Sequence, residues 1–92
     1  MITAFVHISC SPGKLDELAE SISQVEGVTE VYSVTGDYDL LIIIRTASID
    51  ELPGIVTDNI LKRDGITKAN TSIGFKVYSK HNLETMFSIG LD

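Results

Sequence analysis

The chain has 92 residues, a formal net charge of −6, 43% hydrophobic residues, 7% aromatic residues and no Trp. That length holds one domain near the small end of what folds alone, which excludes two-lobed architectures, and the apolar content excludes an intrinsically disordered chain. The acidic balance speaks against a binder of nucleic-acid phosphates, which needs a basic face.

Ile2–Ser9 alternates, with Ile2, Ala4, Val6 and Ile8 on one face and Thr3, Phe5, His7 and Ser9 on the other, and is read as a first strand. Ser11 and Pro12 follow as an expected N-cap and first helical residue. Leu15, Leu18, Ala19, Ile22 and Val25 form one helical stripe, with Asp16 and Glu17 near the positive end and Gly27 as terminator. Val28–Thr35 is rich in β-branched residues and predicts a second strand. Gly36–Asp39 is a turn, and Leu40–Thr46 is a third, almost wholly aliphatic strand. Ser48 and Glu51 have capping-box spacing, and Pro53 draws the start of a second helix toward Asp50. Leu52, Val56 and Ile60 are its buried stripe, Lys62 and Arg63 suit its C-terminal end, and Gly65 ends it. Ile66–Ser79 predicts a long fourth strand with Ala69, Thr71, Ile73, Phe75 and Val77 on one face.

The two halves echo each other. Glu26-Gly27-Val28-Thr29 matches Asp64-Gly65-Ile66-Thr67 at an offset of 38 residues, and at that offset Ala4, Val6, Leu18 and Ile22 meet Ile42, Ile44, Val56 and Ile60. Two strand–helix–strand units in series predict a ferredoxin-like βαββαβ fold of the α+β class, with both helices on one face of a four-stranded antiparallel sheet. The other face is then left bare. Leu41 and Ile43 lie on the opposite side of strand 3 from Leu40, Ile42 and Ile44, and strands 1 and 4 add Phe5, or Ile73 and Phe75, according to register. Such a surface predicts a homodimer packed sheet to sheet. The organisation expected is a folded domain over 1–80 and an apolar C-terminal arm over 81–92, docked on its own subunit or exchanged with a neighbour.

The charge is uneven: residues 1–60 hold ten acids and two bases, and residues 61–92 hold three acids and five bases, too dispersed to form a patch. The single cysteine, Cys10, cannot form an internal disulfide, which fits a reducing, cytoplasmic setting. The longest aliphatic run, Leu40–Ile44, is far short of the ~20 residues that cross a bilayer. No basic segment precedes an apolar core of signal-peptide type.

Catalytic constellations are weak. His7 and His81 have no partners at zinc spacing. His7 would serve as a general base only inside a cavity. Cys10 has no adjacent histidine to activate it, and no nucleotide-binding glycine motif occurs. No cofactor is implied. The segment Thr35-Gly36-Asp37-Tyr38-Asp39 carries more. A hairpin turn accounts for Gly36 and one Asp, but does not require two acids flanking Tyr38. Asp37 and Asp39 are acceptors suited to an ammonium group, and the backbone N–H groups at Gly36 suit a carboxylate. These are the needs of a free α-amino acid.

Gly27-Val28, the run Val31-Tyr32-Ser33-Val34-Thr35-Gly36-Asp37-Tyr38-Asp39-Leu40, Gly65-Ile66 and Thr71-Ser72-Ile73 together resemble the effector-binding domain of the Lrp/AsnC family of transcription regulators, also called the regulation of amino-acid metabolism (RAM) domain. The resemblance covers about Ile2 to Lys80, and Tyr78-Ser79-Lys80-His81 looks like the stand-alone versions that lack a helix-turn-helix headpiece. It implies dimers through the sheet face forming an α+β barrel, assembly into octamers or decamers, and amino-acid effectors in clefts between dimers. It places Thr35, Gly36, Asp37, Tyr38 and Asp39 at the cleft, with Thr71 and Ser72 of a neighbouring subunit as supplementary donors. The expected function is a non-catalytic amino-acid sensor acting through a helix-turn-helix relative, without contacting DNA itself. Two other readings stay open: a small dimeric α+β barrel enzyme of monooxygenase type using His7, and a ligand-free interaction module.

Overall fold

The computed structural model describes residues 1–80. Its elements are β1 (Ile2–Cys10), α1 (Leu15–Ser23), β2 (Val28–Ser33), β3 (Leu40–Thr46), α2 (Leu52–Ile55) and β4 (Ile66–Ile73). A 3-10 turn (Ile49–Glu51) precedes α2 and a π-helical turn (Val56–Ile60) follows it. The sheet order is β2-β3-β1-β4, antiparallel throughout. This is the ferredoxin-like plan that the repeat predicts.

The core lies between the sheet and the helices. Ala4, Val6 and Ile8 of β1 stand directly opposite Ile44, Ile42 and Leu40 of β3, and all six are fully buried with Leu18, Ile22, Leu52, Val56 and Ile60. The stripe on the second helix repeats every four residues. In a regular α-helix that spacing overshoots a full turn and drifts round the surface. The π turn, closed by Leu61 N–H donating to the Val56 carbonyl at 2.8 Å, widens the helix and returns Ile60 to the sheet. The Ser48–Glu51 capping box forms: Ser48 N–H donates to Glu51 Oε2 at 2.9 Å and Asp50 N–H to Ser48 Oγ at 3.2 Å.

The repeat extends into the irregularities of the sheet. β2 shifts register between Val28 and Glu30, which leaves Thr29 as an extra residue. β4 shifts between Ile66 and Lys68, which leaves Thr67 as an extra residue opposite the Ser9–Cys10 step. Thr29 and Thr67 are equivalent positions of the 38-residue repeat. Gly27 and Gly65 precede these bulges with φ of 95° and 96°.

Four features differ from the sequence expectation. First, α1 begins at Leu15 behind Lys14 and not at Pro12. Ser11–Lys14 closes as a turn instead, with Lys14 N–H donating to the Ser11 carbonyl at 3.1 Å and Gly13 at φ 85°, a conformation no right-handed helix contains. Second, β2 ends at Ser33, where the chain enters the hairpin. Third, the second helix mixes three helical types. Fourth, β4 stops at Ile73. Ala4 pairs with Ile73 and Gly74 N–H donates to Thr3 O at 2.8 Å, so β1, which starts at Ile2, has almost no partner left for residues 75–79. Phe75, Val77 and Tyr78 are exposed there.

Register also settles the bare face. Phe5, opposite Ser72 and Ile43, lies on it, whereas Ile73, opposite Ala4, shares the helix side at the sheet edge. The expected arm, 81–92, lies outside the described residues. Among the described residues, no helix is long and apolar enough to cross a membrane.

Candidate functional site at the Gly36–Asp39 hairpin

The hairpin joining β2 to β3 leans against the end of β1. Asp39 N–H donates to the Ile8 carbonyl at 2.8 Å, and Val34 N–H donates to the Asp39 carbonyl at 2.9 Å. The Asp39 side chain turns inward: its Oδ2 accepts the Cys10 backbone N–H at 2.9 Å in a partly buried setting. Ser9 Oγ donates to the Asp37 carbonyl at 3.3 Å. The two acids flanking Tyr38 therefore stand in different environments. Asp39 ties the hairpin to β1. The Asp37 carboxylate is exposed and has no hydrogen bond or ion pair among the described residues.

Tyr38 folds onto the bare face of the sheet. Its ring lies 5.3 Å from the His7 ring, tilted by 46°, and Lys68 Nζ sits 4.5 Å from its centroid. His7 Nδ1 is buried and has no hydrogen-bond partner. Burial raises the Cys10 thiol pKa, and the Asp39 charge and a hydrogen bond to its carboxylate raise it further. This cysteine is thus kept as a thiol, the opposite of an activated nucleophile.

Thr35, Gly36 and Asp37 are exposed at the tip, with Tyr38 and Asp39 half-buried. Thr71 and Ser72 do not join them within one chain. They pair with Val6 and Phe5, three to four residues along β1 from Ser9, which is roughly 10–13 Å at strand spacing. They also point to opposite faces. Lys68, His7 and the Cys10 N–H are at the hairpin without having been singled out from sequence for this place. Only register could have revealed them, because the bulge at Thr67 decides which way Lys68 points.

A groove of about 530 Å³ lies elsewhere, between Met1, Thr3, Phe5 and Arg45 of the sheet and the Gly74–Tyr78 segment. It does not include His7, so it supplies no cavity for the general base that the enzyme reading requires. Among the described residues no group of three or more His, Cys, Asp or Glu side chains is placed to hold a metal ion.

The family model of the Lrp/AsnC ligand binding domain matches residues 3–83 of the chain. The chain belongs to this family. The HTH-type transcriptional regulator FL11 of Pyrococcus furiosus is 34% identical over 79 residues, covering 86% of this chain and 52% of that protein. The chain spans about half the length of the curated relatives it matches. The crystal structure of TTHA0845 from Thermus thermophilus superposes with a TM-score of 0.82 at 40% identity, covering 87% of this chain and all of that one. The transcriptional regulator NMB0573 of Neisseria meningitidis, solved as a complex with L-Met, has a TM-score of 0.75 at 22% identity, covering 85% of this chain and 52% of that one. At that identity the likeness shows the fold alone. As a member of the Lrp/AsnC ligand-binding family, the chain is a regulatory domain of ferredoxin-like build.

Proposed function

We propose that the chain is a non-catalytic, oligomeric sensor of a free amino acid, and that it modulates transcription through partner regulators carrying a helix-turn-helix domain. The observation that carries this reading is the division of labour at the hairpin. The fold uses Asp39 as a strut through the Cys10 N–H, and leaves Asp37 exposed and unpaired beside an aromatic wall. An unpaired carboxylate at an exposed tip is suited to an ammonium group. In this arrangement Asp37 takes the amino group, the backbone at Gly36 faces the carboxylate, Thr35 and Tyr38 border the ligand, and Asp39 acts by fixing the loop. Thr71 and Ser72 of a neighbouring subunit supply further hydrogen bonds, which accounts for their distance from the hairpin in one chain.

The bare sheet face supports self-association. Phe5, Leu41 and Ile43 lie on it between His7, Tyr32 and Arg45, and Phe75, Val77 and Tyr78 stand exposed past the end of β4. A second copy packed face to face buries this apolar surface, with rings of such dimers, octameric or decameric, forming around the hairpins. A ligand seated between subunits then favours one assembly over another by mass action. A transcriptional regulator of the same fold, solved with L-Met, makes free amino acids the first ligand class to examine. Calorimetric titration with the twenty amino acids tests the reading. Saturable heat with at least one, reduced in Asp37→Asn, is expected; absence of heat with all twenty overturns it.

A further inference from the structure

We propose that Lys68 is the carboxylate anchor of the hairpin site, which deepens the amino-acid reading above and rests on it. Were β4 regular beyond the Cys10–Ile66 pair, Ser9 would oppose Thr67 and Ile8 would oppose Lys68, sending Lys68 to the helix side. The extra residue at Thr67 moves every later position by one, so Lys68 opposes Ser9 and projects onto the bare face beside the hairpin. The bulge sets the direction of every later side chain of β4, and Lys68 is the charged one that it turns toward the hairpin.

The charge arrangement points the same way. Lys68 is exposed, and its ammonium rests over the Tyr38 ring at 4.5 Å, with no ion pair to Asp37 or Asp39 among the described residues. In a chain of net charge −6, a cation next to a two-acid turn that pairs with neither is held on the ring, an interaction that is weak at exposed sites. It is therefore free to exchange the ring for a carboxylate, with which a charge-assisted hydrogen bond is stronger. Asp37 and Lys68 flank Tyr38 with opposite and uncancelled charge, which is the complement of a zwitterion. The ligand class is an α-amino acid, recognised through both its ammonium and its carboxylate; a simple amine satisfies only Asp37.

The test is a two-by-two calorimetric comparison on the full chain. The amino acid that binds best among the twenty and its decarboxylated amine are titrated into the wild type and Lys68→Met. The amino acid is expected to lose about tenfold or more in affinity in Lys68→Met. The weaker amine is expected to be unchanged between the two proteins, and Lys68→Arg is expected to retain most binding of the amino acid. Lys62→Met, at the exposed end of the second helix, controls for net charge and is expected to bind as the wild type does. Equal affinity of the amino acid for the wild type and a folded Lys68→Met, with folding checked by circular dichroism, overturns the assignment of Lys68 and leaves the sensor reading standing. No binding of any amino acid to the wild type overturns both.

Discussion

Asp39 Oδ2 accepts the backbone N–H of Cys10 at 2.9 Å and so closes the β2–β3 hairpin onto the end of β1. The bond crosses 29 residues of sequence and is partly buried. Hydrogen bonds to a charged acceptor contribute about 1.5–3 kcal/mol, and leaving a buried donor unmade costs a similar amount. Asp39→Ala should therefore destabilise the fold by about 2 kcal/mol, and Asp39→Asn, which keeps one acceptor oxygen, by less. Urea denaturation followed by circular dichroism measures both. The consequence for function is practical: loss of ligand in Asp39→Ala reports a displaced loop, whereas loss in Asp37→Asn reports a missing contact.

The same pair sets the chemistry of Cys10. Burial first, then the Asp39 charge and hydrogen bond, push the thiol above its ordinary value of 9.0. Asp39→Asn removes the second and third causes and leaves the first. Alkylation by iodoacetamide at pH 8 should be slow in the wild type and faster in Asp39→Asn. A raised folded-state pKa contributes stability that is present below the unfolded value and is lost as pH rises through the folded one. The wild type should thus lose stability above about pH 9 more steeply than Asp39→Asn, as measured by urea midpoints across that range.

Gly27 and Gly65 hold the same left-handed conformation at equivalent places, each offering its carbonyl to another segment. Arg45 N–H donates to Gly27 O at 2.9 Å and Ser11 N–H to Gly65 O at 2.8 Å. A Cβ at Gly27 would meet Ile55 Cδ1 at 2.7 Å, the movable end of a side chain, and at Gly65 it would meet Lys14 Cγ at 3.0 Å. Backbone strain is then the common cost. Gly27→Ala and Gly65→Ala should each destabilise by about 1–2 kcal/mol, and differ from one another by less than either value. Chemical denaturation of the two variants provides the check.

Leu41 lies on the bare face and is half-buried in the single chain, while its neighbours Leu40 and Ile42 are fully buried on the other side. Leu41→Asp should dissociate the proposed face-to-face dimer while leaving the fold intact. Ile42→Ala, in contrast, should cost about 2–5 kcal/mol of folding stability. Sedimentation velocity distinguishes the two effects, with Leu41→Asp sedimenting as a folded monomer.

The fold was readable because each element repeats a simple period and because the acid-Gly-aliphatic-Thr signature occurs twice. β3 runs over Leu40–Thr46 as its aliphatic content predicts. The errors fall where a non-local partner decides. β4 has the alternation of a longer strand, yet it ends opposite the start of β1, since a strand's length is set by what it pairs with. Ser11-Pro12 reads locally as a helix start, but the chain first turns at Gly13. The hairpin was legible as an unusual cluster of acids. That Asp39 faces inward and Asp37 outward was not, because both are acids in one turn and only the Cys10 N–H separates them. Lys68 was hidden by a one-residue bulge, which inverts the side-chain alternation that sequence reading relies on.

The proposed function requires that a free amino acid bind at the Gly36–Asp39 hairpin. An amide chemical-shift titration of the isotope-labelled chain with the amino acid that binds best tests it most directly, since it reports both occupancy and place. Saturable shifts concentrated at Gly36, Asp37, Tyr38 and Lys68 are expected. Saturable shifts confined to the groove of Thr3, Phe5, Arg45 and Lys76, or no shifts with any of the twenty amino acids, would contradict it.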